Sequence, residues 1–138
     1  MRRILVDTGP LVAILSREDA HHRPCVAALR EMAGPLLSCW PVITEAAWLL
    51  RRSPRAVQLL GRVDGGFLEL LPLAGAEAKS ISLLMKRYES IRPQFADAAL
   101  VYLASRERIE TIFTLDRRDF SVYRTGRKRS FRILPEMG

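Results

Sequence analysis

Short unbroken apolar runs recur along the chain, and several are closed by glycine, proline or an acid. Ile4-Leu5-Val6 runs into Asp7-Thr8 and then Gly9-Pro10, which predicts a buried first strand over residues 3–7. Similar runs predict strands over 36–39, 67–71, 110–115 and 131–134, the last at a sheet edge. Between them the spacing changes to that of helices. Leu11, Val12, Ile14 and Leu15 suggest a short buried helix. Cys25, Val26, Leu29 and Met32 mark a second, from residue 20 to the Gly34-Pro35 stop. Trp40-Pro41 opens a third helix, whose apolar face carries Val42, Ile43, Ala46, Ala47, Leu49 and Leu50. Further helices are predicted over 55–63, 74–91 and 95–108, with Asp64-Gly65-Gly66 and Pro93 as breaks. Residues 117–129 read as a basic loop with a turn of helix.

Strands alternating with helices predict an α/β fold, with a parallel sheet of about four to five strands and helices on both faces. The 138 residues, with no repeat, low-complexity segment or linker, predict a single domain over 1–138. That length buries a core without disulfides or a structural metal. Cys25 and Cys39, fourteen residues apart, fit neither a CxxC site nor a disulfide framework and read as free thiols in a reducing compartment. Asp7 interrupts the N-terminal apolar run, and no other run reaches the length of a membrane span, so a cytoplasmic protein without a membrane role is expected.

Charge changes the picture. There are 22 Lys+Arg against 15 Asp+Glu, a net +7, and only Lys79, Lys86 and Lys128 are lysines. A surplus of guanidinium groups favours phosphate-bearing or acidic partners. Against this background four acids stand out by position. Asp7 and Asp116 end the first and fourth strands, Glu45 lies about one turn into the third helix, and Asp97 falls in the first turn of the 95–108 helix. In a parallel sheet, strand carboxyl ends and the amino ends of the following helices share one edge. A macrodipole alone accounts for an acid in a first turn. Yet Glu45 and Asp97 are embedded in apolar sequence, Val42-Ile43-Thr44-Glu45-Ala46-Ala47 and Phe95-Ala96-Asp97-Ala98-Ala99, where a buried carboxylate needs a partner. Four gathered acids repel unless a cation is present. Oxygen-only donors point to a hard ion, Mg²⁺ or Mn²⁺, and away from zinc. The adjacent His21 and His22 lie in a polar stretch and read as surface residues. A carboxylate-held ion in a basic protein suggests phosphodiester chemistry. Thr8 and Thr114 either support that site or satisfy strand-end backbone groups, and Asp119 is either a further participant or a helix cap. Neither a GxSxG elbow nor a GxxxxGK[ST] loop is present.

Val6-Asp7-Thr8-Gly9-Pro10, Thr44-Glu45, Phe95-Ala96-Asp97-Ala98-Ala99-Leu100 and Thr114-Leu115-Asp116-Arg117-Arg118-Asp119-Phe120 resemble, in order, the four motifs of PIN-domain ribonucleases. Size and build resemble the VapC toxins of bacterial type II toxin–antitoxin modules. The resemblance implies Mg²⁺- or Mn²⁺-dependent cleavage of RNA, a homodimer, and inhibition by a VapB-like antitoxin. It implies that Asp7, Glu45, Asp97 and Asp116 bind the metal and that Thr114 supports them. Gly9-Pro10 departs from the commoner motif, and proline there remains compatible with a helix start. The arginines of 117–132 exceed what the motif requires; they either touch RNA phosphates or form a solvated loop. Two other readings compete. One is a catalytically silent PIN-type module that binds RNA or a partner, against which the intact quartet stands. The other is a phosphoacceptor signalling domain, which needs an acidic pair near the first strand and a lysine at the last, and neither is found.

Overall fold

The computed structural model describes residues 2–126 and 128–136. Arg127, one of the arginines of the 117–132 segment, lies outside the described residues. Five three-residue strands, β1 (Ile4–Val6), β2 (Leu36–Ser38), β3 (Leu68–Leu70), β4 (Thr111–Phe113) and β5 (Arg132–Leu134), form one sheet. All pairings are parallel and the order is β3-β2-β1-β4-β5. Each strand is shorter than the segment expected for it. Every residue of β1, β2 and β4 is buried, so both faces of the sheet's centre are covered. That explains runs that are continuously apolar rather than alternating.

The helices are α1 (Thr8–Leu15), α2 (His22–Arg30), α3 (Trp40–Leu49), α4 (Arg55–Asp64), α5 (Ala78–Arg87), α6 (Phe95–Glu107) and α7 (Arg117–Phe120). Two differ from expectation. Gly9-Pro10 does not separate strand from helix: α1 starts at Thr8, with Asp7 as its N-cap, and Pro10 occupies the first turn. A first turn has no intrahelical acceptor for its N–H groups, so proline loses nothing there. The single helix expected over 74–91 is instead a 3-10 turn (Gly75–Glu77), α5, and a second 3-10 turn (Glu89–Ile91) closed by Arg92. Ala78 of its expected buried face is exposed, Ile81 is buried, and Leu84, Met85 and Tyr88 are half-buried. Glu77 is held out of helical continuity: it accepts hydrogen bonds from the Ala74 N–H, the Tyr102 hydroxyl and Arg106.

α6 is buried without interruption from Ala96 to Val101, with Leu103 and Ala104 following. A helix apolar on all sides belongs inside. It packs on α3 and α5, and Leu100 and Leu103 join Leu5, Val6, Ile112 and Phe113 in the core. Phe120, Tyr123 and Phe131 close that core, with ring centroids 5.1 and 5.7 Å apart and edge-to-face packing. Cys25 and Cys39 are buried free thiols. No helix among the described residues is long and apolar enough to cross a membrane.

The chain leaves β1 toward β2 and β3, then returns past β1 to β4 and β5. The sheet therefore reverses its order between β1 and β4, and such a reversal opens a crevice at the carboxyl ends of the two strands.

Candidate active site

Val6 pairs with Phe113, so the residues that follow them, Asp7 and Thr114, meet at that crevice. The Asp7 N–H donates to the Phe113 carbonyl at 2.9 Å, which extends the ladder one step. Both Asp7 carboxylate oxygens are engaged. The Thr8 N–H donates to Oδ1 and the Thr114 hydroxyl donates to Oδ2, each at 2.8 Å. Thr114, fully buried, also accepts from the Asp116 N–H at 3.0 Å. One hydroxyl thus ties the acid ending β1 to the acid after β4. Asp116 caps α7, its Oδ1 accepting from the Asp119 N–H at 3.0 Å. This one-turn helix folds Asp119 back toward Asp116.

Asp97 enters from the first turn of α6 and is only 9% exposed. Carboxylate oxygens of Asp97, Asp116 and Asp119 lie within 4.8 Å of one another. Asp7 and Glu45 line the same open cleft, about 560 Å³ in volume. The cleft brings the four expected acids together, and Asp119 with them. The tightest group, however, contains Asp119 rather than Asp7 or Glu45. Thr8 and Thr114 both lie at the site, but only Thr114 has its hydroxyl bonded to a carboxylate. The Thr8 hydroxyl is buried without a partner among the described residues. Arg92 and Gln94, ahead of α6, had no place in the sequence reading, and Leu49, one turn after Glu45 and expected on the apolar face of its helix, is instead exposed at the cleft. The signal for Arg92 was a cation beside Pro93, in the loop that must deliver Asp97 to this edge.

Electrostatics follow from this crowding. Burial pushes the Asp97 carboxyl up to about 7, and the charges of Asp7, Asp116, Glu45 and Asp119 add to the rise. Burial also raises Asp7, against the lowering effect of its bonds to Thr114 and Thr8. Asp119 rises through burial and through its neighbour Asp116. Each resolved shift among these acids is upward, as expected when carboxylates are buried and crowded together. The donor set fits a hard divalent cation: it is all oxygen, and three carboxylate oxygens are mutually close enough to share one ion.

The two histidines, read from the sequence as surface residues, lie away from the cleft. His22 Nδ1 is 2.7 Å from the Ala13 carbonyl, and His21 pairs with Asp19. The arginine-rich segment is largely committed within the molecule. Arg117 donates to the Pro135 carbonyl, Arg124 to three carbonyls after α7, and Arg129 and Arg132 pair with Glu110 and Glu136. Structural bracing accounts for these four side chains. Arg92 differs from all of them. Its backbone is left-handed, at φ 50° and ψ 62°, which costs a side-chain-bearing residue about 1–2 kcal/mol.

Comparison with known proteins places the chain in a family. A family model described as PIN domain matches residues 4–126. Ribonuclease VapC26 of Mycobacterium tuberculosis is 30% identical over 135 residues, which is 96% of this chain and 100% of that protein. The crystal structure of VapC20 from the same organism, titled a Sarcin-Ricin loop cleaving toxin, superposes with a TM-score of 0.73 at 17% identity, covering 79% of this chain and 86% of that one. At that identity the likeness speaks for the fold. The family match takes in the carboxylates of β1, α3, α6 and the β4–α7 turn, and the full-length relative extends it to nearly the whole chain, so this chain belongs to the PIN-domain family, alongside VapC.

Proposed function

We propose that this chain is a metal-dependent endoribonuclease, the toxin of a VapBC-like toxin–antitoxin module, which hydrolyses phosphodiester bonds of RNA in the carboxylate cleft. The observation that carries the reading is the convergence of acids from four separate segments on the β1–β4 crevice, all within a chain of net charge +7. Asp7, Glu45, Asp97 and Asp116 would hold Mg²⁺ or Mn²⁺, with Asp119 beside them. When bound, such an ion lowers the pKa of water and offsets charge on the phosphate.

The chain's own residues do the rest. Thr114 and the Thr8 N–H fix Asp7 in one orientation, so the carboxylate is organised before any ligand arrives. Thr114 sets Asp116 in register with Asp7 through the Asp116 N–H. Asp97 carries a proton near neutrality and must release it to act as an anionic ligand. Exposed Trp48, Leu49, Val57 and Leu60 on α3 and α4 favour a protein partner, in keeping with a VapB-like antitoxin, a homodimer, or both, in the cytoplasm.

The test is cleavage of purified transfer and ribosomal RNA with Mn²⁺, Mg²⁺ or chelator, by wild type and Asp7→Asn. Cleavage that needs the ion and is lost in Asp7→Asn is expected. No ion-dependent cleavage of any RNA, or equal cleavage by both proteins, would sink the reading and leave a silent binding module.

A further inference from the structure

We infer that Arg92 binds a phosphate of the RNA strand lying in the carboxylate cleft, as a substrate-binding residue beside the scissile bond. The inference rests on the ribonuclease reading and adds to it the group that receives the substrate's charge. Among the described residues, Arg92 is the one cation that lines the cleft, facing a wall built from Asp7, Glu45, Asp97, Asp116 and Asp119. Five acids repel an incoming phosphate, and a divalent ion held among them is largely neutralised by its own ligands. A further positive charge at the rim is therefore needed where the anionic strand enters.

Three properties suit Arg92 to that task. It is exposed, and none of the hydrogen bonds or ion pairs among the described residues engages its side chain, although several carboxylates share its cleft. Arg117, Arg124, Arg129 and Arg132 contrast with this, being spent on carbonyls or acids, and Arg118, exposed and near Asp119, does not line the cleft. Its backbone is left-handed, in a position that suits glycine or asparagine, and it precedes Pro93, which favours extended conformations. Arg108, which ends α6, and Lys128 share this left-handed backbone away from the cleft, so at Arg92 it closes the 3-10 turn and fixes where the side chain emerges. Finally, Arg92 is firmly placed. Its N–H donates to the Glu89 carbonyl at 3.1 Å, Pro93 restricts the next step, and α6 begins at Phe95 with Asp97 in its first turn. A guanidinium fork presents two parallel donors to two phosphate oxygens and stays charged at every working pH.

The experiment compares wild type with Arg92→Ala, Arg92→Gly and Arg92→Lys, and with Arg30→Ala on α2 as a distant loss of the same charge. Affinity for a fluorescently labelled mixed-sequence single-stranded RNA is read by anisotropy over a salt series, in Mn²⁺ and in an Asp7→Asn background that prevents turnover. Cleavage kinetics are read in the otherwise native sequence, and Mn²⁺ affinity by calorimetry. Arg92→Ala and Arg92→Gly should bind RNA about tenfold more weakly, with a salt slope shallower by about one. KM should rise while kcat changes little. Arg92→Lys should keep the salt slope and lose part of the affinity. Arg92→Gly should also melt higher than wild type, since glycine accepts the left-handed backbone, so weaker RNA binding there is not misfolding. Unchanged RNA affinity and KM in Arg92→Ala, or a loss matched by Arg30→Ala, would overturn the assignment. So would tighter Mn²⁺ binding with RNA affinity intact, which would make Arg92 a counter-ion of the acids. Failure of wild type itself to cleave any RNA would instead remove the ribonuclease reading.

Discussion

Asp97→Asn should stabilise the metal-free protein at neutral pH and leave it nearly unchanged in acid. Asp97 lies in the first turn of a buried helix, facing four other acids, and its carboxyl is raised from 3.8 to about 7. The folded protein therefore binds a proton more tightly than the unfolded chain does. Stability falls as pH rises from about 4, and the penalty is complete above about 7. About three pH units correspond to about 4 kcal/mol. Asp97 borders an open cleft, so water screens part of this, and about 2 kcal/mol is the better expectation. In a domain of this size that is a melting shift of about 5–10 °C. Asparagine keeps the shape and removes the charge. Melting curves in chelator at about pH 4 and about pH 8 should show Asp97→Asn well above wild type at the higher pH and nearly level with it at the lower. Excess Mn²⁺ at the higher pH should reverse the order, because only wild type gains the full binding free energy. An advantage of equal size at both pH values, or none at either, would refute the account of Asp97 as a buried acid made costly by its neighbours.

Thr114→Val removes the hydroxyl that donates to Asp7 and accepts from Asp116 while keeping the volume. Urea unfolding should show a loss of about 1–3 kcal/mol, and Thr114→Ser should recover most of it. Metal affinity should follow metal availability of Asp97: Mn²⁺ titrations should tighten from acid to about pH 7 and level off above it. Burial pushes both Cys25 and Cys39 thiols up to about 11, so an aromatic disulfide reagent near pH 8 should label neither until the protein is unfolded.

Much of the fold was legible because the sheet's centre is buried on both faces. Continuous apolar runs then mark β1, β2 and β4, and the acids that follow β1 and β4 are conspicuous. The misread elements share a different cause. Gly9-Pro10 has the composition of a stop, yet in the first turn of a helix neither residue breaks a bond, so composition alone cannot tell cap from turn. Residues 74–91 keep an apolar rhythm through two 3-10 turns, and what interrupts the helix is distant in sequence: Tyr102 and Arg106 claim Glu77 from α6. The same limit applies to the site. Motif order identifies Asp7, Glu45, Asp97 and Asp116, but distances arise only when α7 folds Asp119 back against the residue that caps it. The arginines of 117–132 show the converse: a charge run gives no sign of which side chains are already paired.

The position of β4 beside β1 makes the site more than a meeting of acids. A sheet ordered with β2 between β1 and β4 would leave Asp7 and Asp116 apart, whatever their sequence settings. With Val6 against Phe113, the next residue on each strand must meet its opposite, and the threonine at that point bonds to both flanking ligands. Asp7 and Asp116 are thus set by one rung of the sheet and one hydroxyl. Asp97 is set by α6, a helix buried from Ala96 to Val101 that cannot shift without disturbing the core. Glu45 has only α3 to position it, and Asp119 only a four-residue helix. The rigid members are therefore Asp7, Asp97 and Asp116, and the adjustable ones are Glu45 and Asp119. Adaptation to different ions should accordingly lie with Glu45 and Asp119. Asp119→Asn is then expected to alter the preference between Mg²⁺ and Mn²⁺, whereas Asp7→Asn should reduce binding of both.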